Sequence, residues 1–162
     1  MAVSPSDVRP SDLSIVCPEE SDTLAVAGRL AAEVRPGDVI VLSGGLGAGK
    51  TRFAGGLAAG LGVEERVVSP SFVLMREYRS GFLPFVHVDV YRLGSINEFD
   101  DLEAEERAAD GVLVIEWGDA VSPALPPDVL TVGFEVAEDG ARTLSFHPAG
   151  SWCDRDLARV VR

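Results

Sequence analysis

Several residue types are scarce in this chain, and their scarcity excludes some kinds of structure and binding site. Of its 14 basic residues 13 are arginines and one is a lysine, Lys50. Its two cysteines, Cys17 and Cys153, lie far apart and form no C-x-x-C pair, so we expect neither a disulfide framework nor a zinc site. No apolar run approaches the roughly 20 residues that span a bilayer, so we expect no membrane contact.

Positive charge is also scarce. The 14 basic residues stand against 26 acidic ones and leave a net charge of -12. The excess lies mainly in residues 81–162, which carry 6 basic and 16 acidic groups. A protein that grips nucleic acid by its phosphates needs the opposite sign, so the composition disfavours direct and strong nucleic-acid binding.

The length of 162 residues suits a single domain with one hydrophobic core. Residues 1–12, rich in serine, proline and aspartate, predict a flexible tail, residues 13–150 the domain, and residues 151–162 a C-terminal helix or tail. The first residues lack the charged and apolar regions of a signal peptide, so we expect a cytoplasmic protein.

Hydrophobic periodicity predicts alternating strands and helices, and therefore an α/β fold. Continuous apolar runs at 39–42 and 112–115 predict buried central strands. We expect a three-layer fold, in which helices flank a mixed central sheet that ends in a late β-hairpin. The remaining predicted elements are a strand over 13–17, a helix from 18–22 to Pro36, a helix carrying Phe53, Leu57 and Leu61, strands over 72–78 and 85–91, a helix over 95–109, hairpin strands over 129–136 and 142–146, and a helix over 152–162.

A phosphate-binding motif follows the first apolar run and precedes a predicted helix. Glycines let successive backbone N–H groups turn towards a phosphate, and the helix adds its positive N-terminal end. In this pattern the lysine reaches the β- and γ-phosphates and the hydroxyl residue can ligate Mg²⁺. The motif G-x-x-x-x-G-K-[ST] is matched by Gly44, Gly45, Leu46, Gly47, Ala48, Gly49, Lys50 and Thr51. We therefore expect the three-layer α/β fold to be a P-loop NTPase-like fold.

Two carboxylates are candidates for the acidic group that such a site needs near its metal. Glu116 ends the apolar run over 112–115, and Asp89 lies within the predicted strand over 85–91. A carboxylate at a strand end often does no more than contact solvent. The phosphate-binding motif in the same chain makes a functional role the favoured interpretation for both Glu116 and Asp89.

Four motifs follow one another along the chain: residues 44–51, Ser69-Pro70-Ser71-Phe72, His87-Val88-Asp89-Val90-Tyr91-Arg92 and Ile115-Glu116-Trp117. In this order they resemble the motifs of the TsaE (YjeE) family, the ATPase component of bacterial tRNA threonylcarbamoyladenosine synthesis. The resemblance runs from about Pro18 to Phe146, and its specificity comes from the whole series rather than from the common first motif.

The resemblance implies a small ATPase that works with the TsaB and TsaD proteins. Its members hydrolyse ATP to support modification of the adenosine next to the anticodon, so tRNA would be contacted only indirectly. Carried over by residue, Lys50 binds the β- and γ-phosphates of ATP, and Thr51 and Glu116 ligate Mg²⁺. Asp89 is the candidate for positioning the attacking water.

The sequence departs from the family pattern at two positions. Ser71 stands where the family usually has threonine, which keeps the hydroxyl, whereas Gly45 replaces the usual aspartate and removes a carboxylate near the nucleotide. By the same resemblance, Glu20 and Arg142 border the nucleotide.

Two other functions fit the same motif. A P-loop small-molecule kinase usually brings several arginines to the phosphates from a lid, but residues 93–111 offer only Arg107. A nucleotide-dependent binding switch with negligible turnover would use ATP to order the loop over 69–72.

Several residues near the motifs keep two interpretations. Trp117 either packs or transmits the nucleotide state, and Arg92 forms a salt bridge or stabilises phosphate charge. His87 is expected to pack and form hydrogen bonds rather than act as a base. The run over 98–106, with 6 acids and no base, is either a solvated helix face or a docking surface for a basic partner.

Overall fold

The computed structural model describes residues 13–70, 74–91 and 95–162. The tail predicted over 1–12, Ser71 and Arg92 lie outside the described residues. Within those residues seven strands form one sheet in the order β1-β7-β6-β2-β5-β4-β3. The strands are β1 Ser14–Cys17, β2 Asp38–Gly44, β3 Met75–Tyr78, β4 Phe85–Asp89, β5 Val112–Glu116, β6 Leu130–Val136 and β7 Arg142–Pro148.

The sheet is mixed, as the sequence predicted. Its four inner strands, β6, β2, β5 and β4, run parallel, and β3, β7 and β1 pair antiparallel at the two sides. The strands β6 and β7 form the late hairpin. Parallel neighbours bring the ends of β2, β4 and β5 to the same edge, where ligands bind in open α/β sheets.

Helices cover both faces of the sheet and complete the three layers. On one face, α1 (Glu20–Leu30) and α2 (Lys50–Gly60) pack over Ile40, Leu42 and their neighbours. On the other face, α3 (Ile96–Asp101) and α4 (Ala104–Arg107) contribute Phe99 and Ala104 to a core with Val39. The alternation of Val39, Ile40 and Leu42 between two apolar layers explains why β2 is a continuous apolar run.

Two predicted helices are wrong in extent. The helix expected over 95–109 is divided into α3 and α4, because Glu103 takes a left-handed conformation with φ of 52°. Near the C-terminus the structure has a 3₁₀ helix at Gly150–Asp154 and a short α5 at Leu157–Val160. A 3₁₀ helix at Gly118–Ala124 has no counterpart among the predicted elements.

The strand predictions are correct in place but differ at their ends: those for β2, β5 and β7 are too short, and those for β1, β4 and β6 are too long. The strand expected over 85–91 ends at Asp89 as β4, and the described part of the one expected over 72–78 pairs from Met75 as β3. Both cysteines are unpaired, and burial raises the pKa of the Cys17 thiol, which keeps it protonated. No helix in the described part of the chain has the length and apolar character to cross a membrane.

A buried ion pair attaches the C-terminal segment to the start of β2. Asp38 accepts hydrogen bonds from both terminal nitrogens of Arg155, with Nη2 2.8 Å from Oδ1 and Nη1 on Oδ2. Arg155 also lies 3.9 Å above the ring of Trp152, which is fully buried. The segment after β7 is thus fixed to the strand that leads into the phosphate-binding motif.

The glycines of α2 allow a close contact between helices. This was expected, because glycine lowers the stability of a helix and is kept where a larger residue would not fit. A Cβ on Gly60 would lie 2.7 Å from the Cβ of Ala31, and one on Gly56 would lie 3.0 Å from the Cβ of Ala27. At Gly55 the nearest atom would be the Cβ of Val67, at 4.0 Å. Two of the three glycines are therefore required by α1, and Gly55 is not.

We expect Gly60→Ala and Gly55→Ala to change stability in opposite directions. Gly60→Ala forces a clash between packed helices and should lower the free energy of unfolding by about 1–3 kcal/mol. Gly55→Ala meets no crowding and should raise it by up to about 1 kcal/mol, because alanine loses less backbone entropy. Urea unfolding of both variants measures this, and equal effects would contradict the close contact.

Candidate functional site

The candidate residues converge on one face of the sheet, at the ends of its parallel strands. In the register of β5, Glu116 lies opposite Asp89 on one side and Leu42 on the other. A cleft of about 520 Å³ opens here. Its lining comprises Glu20, Leu46, Gly47, Ala48, Gly49, Lys50, Thr51, Arg52, Ser69, Asp89, Tyr91, Glu116, Trp117 and Arg142.

The loop between β2 and α2 takes conformations that favour glycine. Gly47 and Gly49 have φ of 76° and 101°, in the left-handed region. Gly49 is the N-cap residue of α2, and Lys50 is its first residue. The residues at this helix start line the cleft, where their backbone N–H groups and the helix dipole favour an anion.

Lys50 is buried, and its ammonium group forms hydrogen bonds within its own loop. Its Nζ donates hydrogen bonds of 2.7 Å to the carbonyl oxygens of Gly44 and of Gly45. The same ammonium lies 3.8 Å from the ring centre of Trp117. These contacts compensate a charge that is only 5% exposed, and a phosphate oxygen would compete with them as a stronger, charged acceptor.

Thr51 and Glu116 are in direct contact. The Thr51 hydroxyl lies 3.0 Å from Oε1 and 3.1 Å from Oε2 of the carboxylate, to which it donates. Glu116 is 3% exposed, and its Oε2 lies 2.7 Å from Nε2 of His87. The structure therefore brings together the two residues predicted to ligate Mg²⁺.

Asp89 is held beside them by two donors. Its Oδ1 accepts from the backbone N–H of Tyr91 at 2.9 Å, and its Oδ2 accepts from the Ser69 hydroxyl at 3.3 Å. The ring of Tyr91 lies 4.8 Å from that of Trp117. Asp89 is therefore oriented by the loop residue Ser69, which belongs to the Ser-Pro-Ser-Phe motif.

The donor set suits a hard cation that also binds phosphates. A hydroxyl and two carboxylates supply oxygen, which Mg²⁺ prefers over nitrogen and sulfur. No cluster of three or more His, Cys, Asp or Glu residues that could hold a metal occurs in 13–70, 74–91 and 95–162. A Mg²⁺ ion here would need ligands from nucleotide phosphates and water, as is usual for this ion.

The rim of the cleft carries the two residues expected to border the nucleotide. Glu20 forms an ion pair of 3.3 Å with Arg52, and both side chains are more than half exposed. Arg142 starts β7 on the same sheet face, and its Nη1 donates to the carbonyl of Gly140 at 3.0 Å. A Cβ on Gly45 would meet no atom within 4 Å, so nothing in the structure explains the glycine there.

Sequence reasoning missed the contacts that depend on strand register. It named Lys50, Trp117, His87 and Glu116 but neither the Lys50–Trp117 nor the His87–Glu116 contact. A signal for the second existed, because residues two apart on a strand share a face. His87 and Asp89 therefore point the same way, and Asp89 lies opposite Glu116.

Comparisons with known proteins find a matching family and similar relatives. Residues 17–144 match the family model of the threonylcarbamoyl adenosine biosynthesis protein TsaE. The tRNA threonylcarbamoyladenosine biosynthesis protein TsaE of Treponema pallidum is 46% identical over 121 residues, which are 74% of this chain and 87% of that protein. The protein of the same name from Bacillus subtilis is 42% identical over 137 residues, 84% of each chain.

A solved structure shares the fold. The crystal structure of YdiB from Bacillus subtilis superposes with a TM-score of 0.75 at 34% sequence identity. The match covers 90% of this chain and 93% of that one. The P-loop α/β fold predicted from the sequence is therefore confirmed.

Proposed function

Since the chain belongs to the TsaE family of tRNA threonylcarbamoyladenosine biosynthesis proteins, we propose that it is a Mg²⁺-dependent ATPase of that pathway. It acts in the cytoplasm with TsaB- and TsaD-like partner proteins. The observation that carries the proposal is the convergence of Lys50, Thr51 and Glu116 at the start of α2.

Different residues of the chain have different roles in ATP hydrolysis. Backbone N–H groups of residues 44–49 and the start of α2 bind the phosphates, and Lys50 exchanges its carbonyl partners for β- and γ-phosphate oxygens. Thr51 and Glu116 hold Mg²⁺, which when bound neutralises charge that develops on the phosphates. Asp89, fixed by two donors, positions the attacking water.

The rim supplies the remaining contacts with the nucleotide. We propose that Arg142 and Glu20, which both line the cleft, border the nucleotide. We also propose that Ser71, which lies outside the described residues, keeps the switch-like role that the family resemblance implies. Because the chain has a net charge of -12, the partners rather than this protein hold the tRNA.

A specific contact argues against the kinase alternative. Arg107, the candidate lid arginine, donates to Glu77 Oε1 at 3.3 Å and to the carbonyl of Leu102 at 3.3 Å. It does not line the cleft. The binding switch uses the same cleft and differs only in turnover, which an experiment must measure.

The test is phosphate release from ATP by the purified chain, alone and with its TsaB- and TsaD-like partners and tRNA. We expect Mg²⁺-dependent release that is lost in Glu116→Gln, which keeps the shape of the side chain but removes its charge. Nucleotide binding in EDTA should survive in that variant, because the phosphate loop is intact.

Four other results would overturn the proposal in different ways. Binding without release above background in every mixture would favour the switch, and transfer of the γ-phosphate to a small metabolite would favour the kinase. Release that persists unchanged in Glu116→Gln would contradict the metal site. Tight binding of bare tRNA would contradict the interpretation of the charge.

A further inference from the structure

His87 lies in the core directly behind the carboxylate of Glu116. The imidazole is fully buried, in the middle of β4, and its ring centre is 6.2 Å from that of Phe85. Its Nε2 is 2.7 Å from Oε2 of Glu116. The ring is not part of the cleft lining, so it contacts the candidate metal ligand from within the core.

The other ring nitrogen of His87 has no hydrogen-bond partner among the described residues. A carboxylate oxygen only accepts, so Nε2 carries the proton of this bond. In the neutral ring Nδ1 is then a bare acceptor in an apolar environment, which is unfavourable. A leucine would fill this position without that penalty, so packing does not explain the imidazole.

The bond to His87 distinguishes the two oxygens of Glu116. Thr51 does not, because its hydroxyl lies at 3.0 Å and 3.1 Å from them. The Thr51 hydroxyl can ligate a metal through a lone pair and still donate its hydrogen to either oxygen, so it does not fix the orientation of the carboxylate. His87 does, because its Nε2 lies 2.7 Å from Oε2.

We propose that His87 is a positioning residue, whose Nε2–H holds Oε2 of Glu116 so that Oε1 stays directed at Thr51 and the metal position. This inference rests on the proposed function, because it assigns a partner to the proposed metal ligand. Hydrogen-bonded residues behind a metal ligand typically change metal affinity or activity by about 10- to 100-fold when they are replaced.

Two substitutions separate positioning from core filling. His87→Gln keeps an N–H donor at a similar reach, whereas His87→Leu keeps the bulk and removes the donor. The exposed His147 gives the control, His147→Leu. The readouts are the Mg²⁺ concentration that gives half-maximal tightening of a fluorescent ADP analogue, its affinity in EDTA, and the melting temperature.

We expect His87→Leu to raise the half-maximal Mg²⁺ concentration by about 10-fold or more and to leave binding in EDTA unchanged. His87→Gln should recover most of that loss, and His147→Leu should match the wild type. Equal Mg²⁺ requirements in His87→Leu and the wild type would overturn the positioning role alone. If the affinity of the wild type for the ADP analogue does not depend on Mg²⁺, the proposed function is overturned together with the positioning role.

A measurement on the unaltered chain covers the case in which His87→Leu fails to fold. NMR of ¹⁵N-histidine-labelled protein reports which ring nitrogen carries hydrogen. We expect a protonated, exchange-protected Nε2 whose chemical shift moves when Mg²⁺ and ADP are added together. Protonation on Nδ1 alone, or an Nε2 chemical shift that does not change when Mg²⁺ and ADP are added, would contradict the proposal.

Discussion

Replacing Lys50 with methionine is expected to lower ATP hydrolysis by roughly 100- to 1000-fold, the usual cost of removing one preorganised charge from a phosphate or oxyanion site. The ammonium already lies at the base of the loop, 2.7 Å from two carbonyl oxygens that phosphate oxygens can displace. Methionine has a similar length and removes the charge that lies 3.8 Å from the ring centre of Trp117. Phosphate release and nucleotide titration measure the effect.

Lys50→Arg tests whether charge alone is sufficient. A guanidinium is planar and broad, and the position is buried beneath a tight glycine loop, so we expect this variant to remain impaired. Arg79→Met, an exposed residue away from the cleft, is the control and should hydrolyse ATP like the wild type. Full activity in Lys50→Arg would show that the pocket accommodates a broader cation than its geometry suggests.

Removing Arg155 is expected to produce the largest loss of stability that we predict, about 3–5 kcal/mol. Arg155→Met keeps much of the volume above the Trp152 ring but leaves Asp38 without its cationic partner in a buried site. An unpaired buried carboxylate is far more costly than the pair is favourable. Urea denaturation of the purified variant gives the change in the free energy of unfolding.

Two further variants test whether the stability lost in Arg155→Met comes from the unpaired buried charge. Arg79→Met breaks an exposed ion pair of 3.4 Å with Glu77 and should cost no more than about 1 kcal/mol. Asp38→Leu combined with Arg155→Met removes both charges and should recover much of the single loss, because no charge is left unpaired. If the double variant is no more stable than Arg155→Met, an unpaired charge on Asp38 is not the cause of the loss.

Local patterns made much of the site predictable. The phosphate loop occupies consecutive residues between a strand and a helix, so its position follows from spacing alone. Glu116 ends an apolar run, and a parallel sheet brings such ends to one edge. The fold class and the place of the phosphate loop therefore followed from local patterns, whereas the 3.0 Å approach of Thr51 to Glu116 also depends on the pairing of β2 with β5.

Contacts set by register or by an unusual backbone were not predictable in this way. The His87–Glu116 bond requires the alignment of β4 with β5, and Arg142 reaches the cleft because β7 starts opposite Val136. The break between α3 and α4 depends on the left-handed Glu103, a conformation that glutamate seldom takes. The Arg155–Asp38 pair joins residues 117 positions apart.

That pair also has a consequence for the order in which the protein matures during its synthesis. The strand β2 and the phosphate loop leave the ribosome early, but the carboxylate of Asp38 has no cationic partner until Arg155 has been made. Since a buried charge without its partner is unfavourable, the nucleotide site should become stable only late in translation. A nascent chain that contains the complete loop should therefore bind ATP poorly until synthesis passes residue 155.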